Sequence, residues 1–357
     1  MNPNQLSRLS IRGFKSIREC DLELNNLNVI IGANGAGKSN LISFFRLIQQ
    51  MLDQKLQVFS AWMGGPDSML HFGRKVTPEL SFELCFGENR YSGVLRATQD
   101  NRLNFFNEKL AIRDRWQDAS GHFESHFNVL ANIGSGLFKG FNAMKNWRVY
   151  HFHDTGETSP VKQLHGLNVN DYLRPDGSNL AAFLFFLRER HNEHYQRIVK
   201  TIRLVAPFFE DFALRPNPTN GNMIELEWRH TGENVPCKAF MLSDGTLRFI
   251  CLTTVLLQPE SVQPETIFID EPELGLHPLA ISTFAGMVRS VSTSRQIIIA
   301  TQSSDLINEF APENIIVADR QQNSTVFNRL ETNKLSEWLN EYSLAELWHK
   351  NLLGGRP

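Results

Sequence analysis

The alternation of apolar and polar positions predicts different kinds of structure in the two parts of this chain. In the N-terminal part, short apolar or alternating runs separated by turn-prone residues predict strands, and one apolar-periodic run predicts a helix. The predicted strands there are 6–11, 20–24, 27–31, 80–85, 91–97 and 147–152, and the helix is 40–51. The segment 64–112 as a whole has the pattern of a β-meander, whereas 113–145 is polar and irregular.

The C-terminal part alternates between helical and strand patterns in chain order. A long apolar-periodic run over 178–205 predicts one helix, which ends before Pro207 because the residue preceding a proline is disfavoured in the helical region. The later predicted strands are 223–228, 266–269, 296–300 and 315–318, and the later predicted helices are 247–257 and 279–291. This alternation predicts an α/β fold.

Composition narrows the class of protein without identifying a ligand. The 357 residues are 41% hydrophobic and 21% charged with a net charge of −2, so no overall positive charge attracts nucleic acid or an anionic membrane. A contact with DNA would need a local basic patch. The four cysteines are scattered without a metal-binding spacing, which favours reduced thiols. Because the first residues lack a signal-peptide pattern and no long apolar run follows, we expect a cytoplasmic protein without membrane contact.

The segment GANGAGKS at 32–39 fits the phosphate-binding pattern G-x-x-x-x-G-K-[ST], between a predicted strand and a predicted helix. Glycines let successive backbone N–H groups converge on phosphates, and the dipole of the following helix attracts anions. Lys38 is then expected to bridge the β- and γ-phosphates of ATP, and the Ser39 hydroxyl to hold Mg²⁺. The residues predicted to bind the nucleotide here are Gly32, Asn34, Gly35, Gly37, Lys38, Ser39 and Asn40. Taken alone, the segment could also be a glycine-rich turn with a chance lysine.

An acidic pair follows the apolar strand pattern at 266–269. Asp270 is expected to reach the Mg²⁺ from the far side, and the adjacent Glu271 to orient and polarise the attacking water. Two carboxylates at this position could instead cap the next helix. Their arrival at the end of a strand, downstream of a phosphate loop, favours the catalytic role.

The sequence LSDGT at 242–246 precedes the predicted helix 247–257. Ser243 can cap that helix, while the region of Gly245 exposes backbone N–H groups to an anion. By itself this is an ordinary helix N-terminus. The five residues nevertheless resemble the signature sequence of ABC ATPases, in the variant form seen in SMC and RecF-like proteins. That resemblance implies a homodimer, or a higher oligomer, in which the signature of one subunit covers the γ-phosphate of ATP held by the phosphate loop of another.

Other segments resemble the same class. The N-terminal LSIRGFKS resembles the opening of SMC and RecF-like ATPases, in which the region of Lys15 and Ser16 approaches the nucleotide. EPELGLHP at 271–278 resembles the D-loop that couples the subunits, and the segments 342–348 and 353–357 resemble the tail of a compact bacterial branch of these ATPases. The resemblance covers nearly the whole chain.

The resemblance also implies a fold and its division into domains. The expected fold is an ABC-type ATPase head with a P-loop core sheet, an antiparallel β subdomain and an inserted helical lobe. The expected domains are an N-terminal ATPase half at 1–154, the lobe at 155–237 and a C-terminal ATPase half at 238–357. The interval before the signature has room for a lobe but none for the long coiled-coil arm of the SMC relatives.

Three positions depart from the family pattern, and one of them is Thr246, which replaces the usual glutamine of the signature with a hydroxyl of shorter reach. Gln302 stands where the family usually carries a switch histidine that senses the γ-phosphate, and because glutamine cannot titrate, hydrolysis is expected to be slow. No glutamine matches the Q-loop, which is a second Mg²⁺ contact in the family and whose place follows the strand 147–152. His153 or Asp154 could substitute there, a water could fill the gap, or the segment could be a simple polar turn. His151 and His153 alternate like metal ligands, but without a companion cluster we expect no metal beyond Mg²⁺.

Two classes of function follow from these expectations. In the first, the chain is an ATPase that slowly converts ATP to ADP and phosphate and acts as an ATP-dependent dimeric switch or clamp on DNA. It would serve repair or defence against phage, with an effector such as a nuclease encoded nearby. In the second, ATP drives the assembly of a scaffold that regulates an effector without contacting DNA. The near-neutral charge of the chain favours the scaffold, whereas the general behaviour of the family that it resembles favours the DNA clamp. A nuclease acting alone is disfavoured, because little sequence follows the last predicted strand.

Overall fold

The structure, a computed structural model, describes residues 5–113, 115–127, 129–130 and 143–355. The strands in these ranges are β1 (Arg8–Phe14), β2 (Ile17–Glu23), β3 (Leu27–Ile31), β4 (Glu79–Phe86), β5 (Asn89–Ala97), β6 (Leu103–Ile112), β7 (Arg115–Ala119), β8 (Arg148–Tyr150), β9 (His165–Gly166), β10 (Phe209–Phe212), β11 (Met223–Ile224), β12 (Glu227–His230), β13 (Cys237–Lys238), β14 (Thr266–Asp270), β15 (Gln296–Thr301), β16 (Ile315–Gln321) and β17 (Ser324–Arg329). The α-helices are α1 (Lys38–Leu52), α2 (Leu56–Trp62), α3 (Pro66–Met69), α4 (Leu180–Arg190), α5 (Asn192–Val205), α6 (Asp244–Leu257), α7 (Pro278–Val291), α8 (Ser304–Ile307), α9 (Thr332–Leu335) and α10 (Leu344–His349).

These elements form two compact units. The first unit holds Met1–Val149, Glu265–Phe268 and Arg295–Pro357, and the second holds Tyr150–Pro264 and Ile269–Ser294. The long apolar strands and the phosphate-loop segment lie in the first unit, whereas the signature-like segment lies in the second.

One antiparallel sheet of the first unit has the strand order β2-β1-β4-β5-β6-β7. Its central register pairs Ile11 of β1 with Cys20 of β2 on one side and with Phe82 of β4 on the other. Strict alternation of buried and partly exposed residues along β4 turns one face of the sheet toward a core. Helix α1 covers that face, and the ring of Phe44 meets Phe82 edge to face at 5.9 Å.

A second sheet contains the strand that leads into the phosphate-loop segment, in the order β17-β16-β3-β15-β14-β8. Strand β3 is buried along its whole length and runs parallel to both neighbours, so that Val29 pairs with Ile299 of β15 and with Ile315 of β16. Continuous apolar runs such as these suit strands that are covered on both faces. The α/β class predicted from the alternation of elements is therefore confirmed.

The single helix predicted over 178–205 is wrong. Two helices, α4 and α5, meet at His191, whose φ of −138° and ψ of 52° lie outside the helical region. Residues 188–194 are all polar, so no apolar position marks the break, and the apolar residues on either side of it were interpreted as one run. The strand predicted over 223–228 is also divided, because β11 pairs with β9 while β12 pairs with β10 and β13.

Some elements were missed at the sequence level. Strand β7 lies in the segment interpreted as irregular, and β17 and α2 were not predicted. Among the described helices, none combines the length and the apolar character needed to cross a membrane. All four cysteines are free thiols, and burial raises the pKa of Cys20 to about 12.

Candidate functional site

The phosphate-loop segment lies in the first unit between β3 and the start of α1. Gly35 and Gly37 have left-handed backbones, with φ of 80° and 108°, which glycine adopts without strain. Gly37 is also closely packed, since a Cβ atom there would lie 2.1 Å from Thr325 Oγ1. Within α1, the first turn carries no acidic residue and the cap makes no side-chain hydrogen bond. This helix N-terminus therefore suits a bound anion.

Lys38 reaches back over the loop that precedes it. Its buried side chain donates from Nζ to the carbonyl oxygens of Gly32 at 2.6 Å and Ala33 at 3.1 Å. Asn34 at the tip of the loop and Ser39 at the helix start are exposed. The predicted strand–loop–helix context is thus confirmed, while the nucleotide-binding roles stay predictions.

A hydrogen-bond network attaches the phosphate loop to strand β17. The Oγ1 of Thr325 donates to the carbonyl of Ala36 at 2.9 Å, and it lies 2.6 Å from the Ser16 hydroxyl. Asn40 Nδ2 donates to the same Ser16 hydroxyl at 2.7 Å, and the Thr325 backbone N–H donates to the Ser16 carbonyl at 2.7 Å. Sequence reasoning identified Ser16 and Asn40 but missed Thr325. No signal in the sequence marked this residue, because β17 was not predicted and its residues do not alternate between apolar and polar.

Lys15 lies against α1, while its predicted approach to the nucleotide stays a prediction. Its Nζ donates to Ser43 Oγ at 2.7 Å, and burial, followed by the charge of Arg46, lowers the pKa of its ammonium group. Its backbone is left-handed, with φ of 48°, and the carbonyl accepts from His71 Nδ1 at 2.6 Å. The structure therefore brings Lys15, Ser16 and Asn40 together beside the phosphate loop.

The close packing of Gly37 leads to a testable difference between two glycines of the loop. Gly37→Ala should lower the free energy of unfolding by roughly 2–5 kcal/mol, because overpacking against Thr325 adds to the penalty of a left-handed alanine. Gly35→Ala should cost only about 1–2 kcal/mol, the backbone penalty alone, since no described atom lies within 4 Å of a Cβ atom there. Denaturant unfolding of the nucleotide-free protein measures both values, and equal losses would contradict a constraint from Thr325.

The acidic pair is in the second unit, at the end of β14. His151 Nδ1 lies 3.5 Å from Asp270 Oδ2, and His153 Nε2 lies 3.6 Å from Glu271 Oε2. The helix that follows is capped by His277, whose Nδ1 accepts from the Leu279 N–H at 3.3 Å. The alternative in which the two acids cap this helix is therefore not realised.

The rings of His151 and His153 contact each other at a tilt. Their ring centroids are 3.6 Å apart with an interplanar angle of 35°. Burial, and then the neighbouring His151, lowers the pKa of His153, although the charge of Asp270 and a hydrogen bond to its backbone act in the opposite direction. In the described part of the chain, no group of three or more His, Cys, Asp or Glu side chains is arranged to hold a metal ion. Asp154, the other candidate for the Q-loop position, is an exposed turn residue that accepts from the Gly156 N–H at 3.3 Å.

The signature-like segment is also in the second unit, where it begins α6. Ser243 caps the helix as predicted, accepting from the Thr246 N–H at 3.2 Å, and its side chain is exposed. Gly245 packs against the D-loop-like segment, because a Cβ atom there would lie 2.1 Å from the Gly275 carbonyl oxygen. Only glycine permits this approach between the start of α6 and the segment after Glu271.

Arg248 lies one turn further along α6 and connects this helix to two other parts of the chain, the segment 152–155 and the segment that contains Leu274. Its guanidinium donates to the carbonyl oxygens of Phe152 and His153, both at 2.9 Å, and of Leu274 at 2.8 Å, and to Thr155 Oγ1 at 3.2 Å. It was not among the predicted site residues. Its signal in the sequence is an arginine inside an otherwise apolar helical run, which indicates a charged group that must find partners within the fold.

The remaining predicted residues can also be located. Gln302 is half-buried in the first unit, directly after β15. Ser39 offers an exposed hydroxyl in the first unit, and Asp270 offers a carboxylate in the second. Such hard oxygen donors are the protein ligands of Mg²⁺, which commonly takes one or two of them together with phosphate oxygens and waters. Each of the two groups, taken by itself, has the oxygen chemistry that Mg²⁺ prefers.

Comparisons of sequence agree with these motifs. A family model described as "AAA domain, putative AbiEii toxin, Type IV TA system" matches residues 27–308. The Old nuclease of Escherichia phage P2 is 24% identical over 376 aligned residues, which cover 93% of this chain and 62% of the nuclease. The DNA replication and repair protein RecF of Aliivibrio fischeri (strain MJ11) is 36% identical over 87 residues, 24% of each protein. The chain thus spans less than two thirds of the length of these curated relatives.

Comparisons of structure point to one fold. An Smc head bound to the C-terminal winged-helix domain of ScpA has a TM-score of 0.60 at 15% identity, with 92% of this chain and 99% of that chain covered. The Smc head of Pyrococcus furiosus with an extended coiled coil, bound to the C-terminal domain of ScpA, has a TM-score of 0.59 at 13% identity, with 94% and 98% covered. At these identities the likeness is one of fold alone.

Proposed function

Because this chain belongs to the AAA-domain family of SMC/RecF-like, ABC-type ATPases, we propose that it binds ATP, hydrolyses it slowly and uses it as an ATP-dependent dimeric switch. The observation that carries the proposal is the phosphate loop. Its left-handed Gly37 is packed against Thr325, and the N-terminus of α1 behind it carries no acidic residue in its first turn. A loop held in this shape presents backbone N–H groups to phosphates without reorganisation.

The residues of this chain take distinct roles in the proposal. Lys38 moves from its carbonyl contacts to the β- and γ-phosphates, and Glu271 accepts hydrogen bonds from the attacking water. The half-buried Gln302 donates a hydrogen bond to the γ-phosphate without a titrating group, which keeps turnover slow. Ser39 and Asp270 are the groups that would hold Mg²⁺, which when bound neutralises charge on the phosphates.

The dimer is proposed to have two composite sites. Ser243 is exposed at the N-terminus of α6, and Gly245 packs onto the Gly275 carbonyl. An exposed helix N-terminus attracts an anion, so a second copy can offer this end of α6 to the γ-phosphate held by Lys38. We further propose that residues 155–237 form a lobe inserted between ATPase halves at 1–154 and 238–357, and that the protein acts in the cytoplasm.

For the biological role we favour an ATP-dependent clamp on DNA in repair or defence against phage, together with an effector such as a nuclease. The similarity to proteins named Old nuclease and RecF supports a role connected with DNA. The family description names a toxin–antitoxin system, which supports the presence of a partner. The alternative is a scaffold that is assembled by ATP and never contacts DNA, and the net charge of −2 favours it.

The test uses the purified full chain with and without Mg²⁺-ATP. We expect ATP binding at micromolar concentrations, slow release of phosphate and an increase in hydrodynamic size on binding. An electrophoretic mobility shift of DNA that requires ATP would support the clamp. An ATP-dependent complex with a protein captured from native cells, without any DNA binding, would support the scaffold. A chain that binds no ATP would contradict the proposal as a whole.

A further inference from the structure

We propose that His153 is a positioning residue for ATP hydrolysis, which orients the carboxylate of Glu271 rather than contacting the metal. The inference rests on the proposed ATPase function and adds a residue to its hydrolytic site. It differs from the expected Q-loop role, in which a side chain after β8 would serve as a second contact to Mg²⁺.

The first support is the placement of two imidazoles over two carboxylates. His151 and His153 are two residues apart, and their rings contact each other with centroids 3.6 Å apart and a tilt of 35° between their planes. Each ring then faces a different acid, His151 facing Asp270 at 3.5 Å and His153 facing Glu271 at 3.6 Å. The imidazole of His153 therefore lies beside the carboxylate of Glu271, the predicted water-activating residue, and the charge of Asp270 acts on it as well.

The second support is the way in which this pair is held. Arg248 binds the backbone carbonyl of His153 on one side and that of Leu274, three residues after Glu271, on the other. One guanidinium therefore fixes the chain on both sides of the contact between His153 and Glu271. Arg248 belongs to α6, the helix that begins at Ser243, so the spacing of the contact is set from the signature helix.

The third support is the conformation of Glu271. Its φ of 47° is left-handed, although it is not glycine, and such a backbone costs roughly 1–2 kcal/mol. Strain of this kind persists where the surrounding structure imposes a direction on a side chain. The carboxylate of Glu271 lies 3.6 Å from His153, and the N-terminus of the following helix is capped by His277.

The chemistry of a neutral imidazole suits this task. His153 is partly buried beside Glu271. Its Nε2 is buried and has no hydrogen-bond partner among the described residues. A neutral donor can orient a carboxylate without neutralising it, so Glu271 keeps its ability to polarise a water. Hydrogen bonds of this type are often long without substrate and shorten in the reacting complex.

Two pairs of substitutions separate the nitrogen from the ring. His153→Phe keeps a ring in contact with His151 and removes the nitrogen, and His153→Gln keeps a donor and removes the ring. We expect His153→Phe to lower kcat about tenfold or more with KM for ATP within about twofold, and His153→Gln to retain at least about a third of kcat. If the phenylalanine variant does not fold, His153→Gln against His153→Met makes the same comparison, since these side chains match in length and differ in polarity.

The control is His230→Phe, the same replacement at a ring in the second unit that lies beside Phe208. Affinity for a fluorescent ATP analogue and the Tm should be unchanged in all variants, so that a loss of kcat reports positioning. A phenylalanine variant that is active beside an inactive glutamine variant would overturn the proposal in favour of a stacking role, and unchanged kcat in both would overturn it outright. Either result would leave the proposed ATPase function supported, provided that the wild type turns over ATP and Glu271→Gln does not. A wild type without ATPase activity would remove both.

Discussion

Replacing Glu271 with glutamine should lower the turnover of ATP by at least about 100-fold while leaving its binding intact. The amide has the size and shape of the carboxylate but cannot accept a proton from the attacking water. The change should not disturb the fold, because the side chain of Glu271 is 20% exposed and its contact with His153 is 3.6 Å long. Phosphate release measures the loss, and a fluorescent ATP analogue measures the unchanged affinity.

The same variant should hold the ATP-bound state long enough to isolate it. Light scattering coupled to size exclusion should show an ATP-dependent dimer, or a larger assembly, that persists in Glu271→Gln and decays in the wild type. Glu233→Gln, which removes one charge from an exposed turn of the same unit, is the matched control and should behave as wild type. If Glu271→Gln shows no change in hydrodynamic size with ATP, the two-site clamp is wrong even where ATP is bound.

Functional groups that follow one another in the chain could be predicted, because local rules determine them. The buried run of β3, the glycines after it and the periodic α1 form one continuous segment, and β3 was predicted to the residue. Ser243 likewise caps α6 through an N–H only three residues away. Each of these inferences needs only the spacing of a few neighbours and the chemistry of their backbone groups.

Groups that act across the fold could not be predicted. Thr325 meets the loop carbonyl of Ala36 from 289 positions further along the chain, and nothing in the composition of β17 points to that contact. The contacts of Arg248 could not be predicted for the same reason. Its guanidinium binds the carbonyl of His153, 95 positions earlier in the chain, and also a carbonyl in the segment after Glu271. Periodicity identifies an apolar face but not which polar group on it finds a distant partner.

The contacts of Arg248 suggest why an ordinary helix N-terminus and an acidic pair belong to one mechanism. The helix that presents Ser243 also fixes the backbone of His153 and the segment behind Glu271 within one unit. An anion bound at Ser243 would therefore contact the same helix that sets the position of the Glu271 carboxylate. In this proposal, binding by one copy and hydrolysis in the other are linked through α6, without a separate sensor.

Two inactive variants should restore activity to each other when they are mixed, which is the strongest test of a composite site. Lys38→Ala removes the phosphate-loop ammonium, and Ser243→Arg blocks the signature, so each alone should reduce turnover at least about 100-fold. In a mixed dimer one site combines the intact loop of one copy with the intact signature of the other. When equal amounts pair at random, about half of the dimers are mixed. Each mixed dimer has one complete site out of two, so the mixture should show about a quarter of the wild-type activity.

The control for this experiment is Ser343→Ala, which removes the cap of α10 and should leave turnover near the wild-type level. It shows that loss of a helix cap, worth about 1 kcal/mol, does not explain the effect at Ser243. Size exclusion with ATP should show a mixed dimer, identified by an affinity tag on one copy. If the mixture recovers neither turnover nor a mixed dimer, while each variant alone remains folded, Lys38 and Ser243 do not meet across two copies, and the ATP-gated dimer would have to be abandoned.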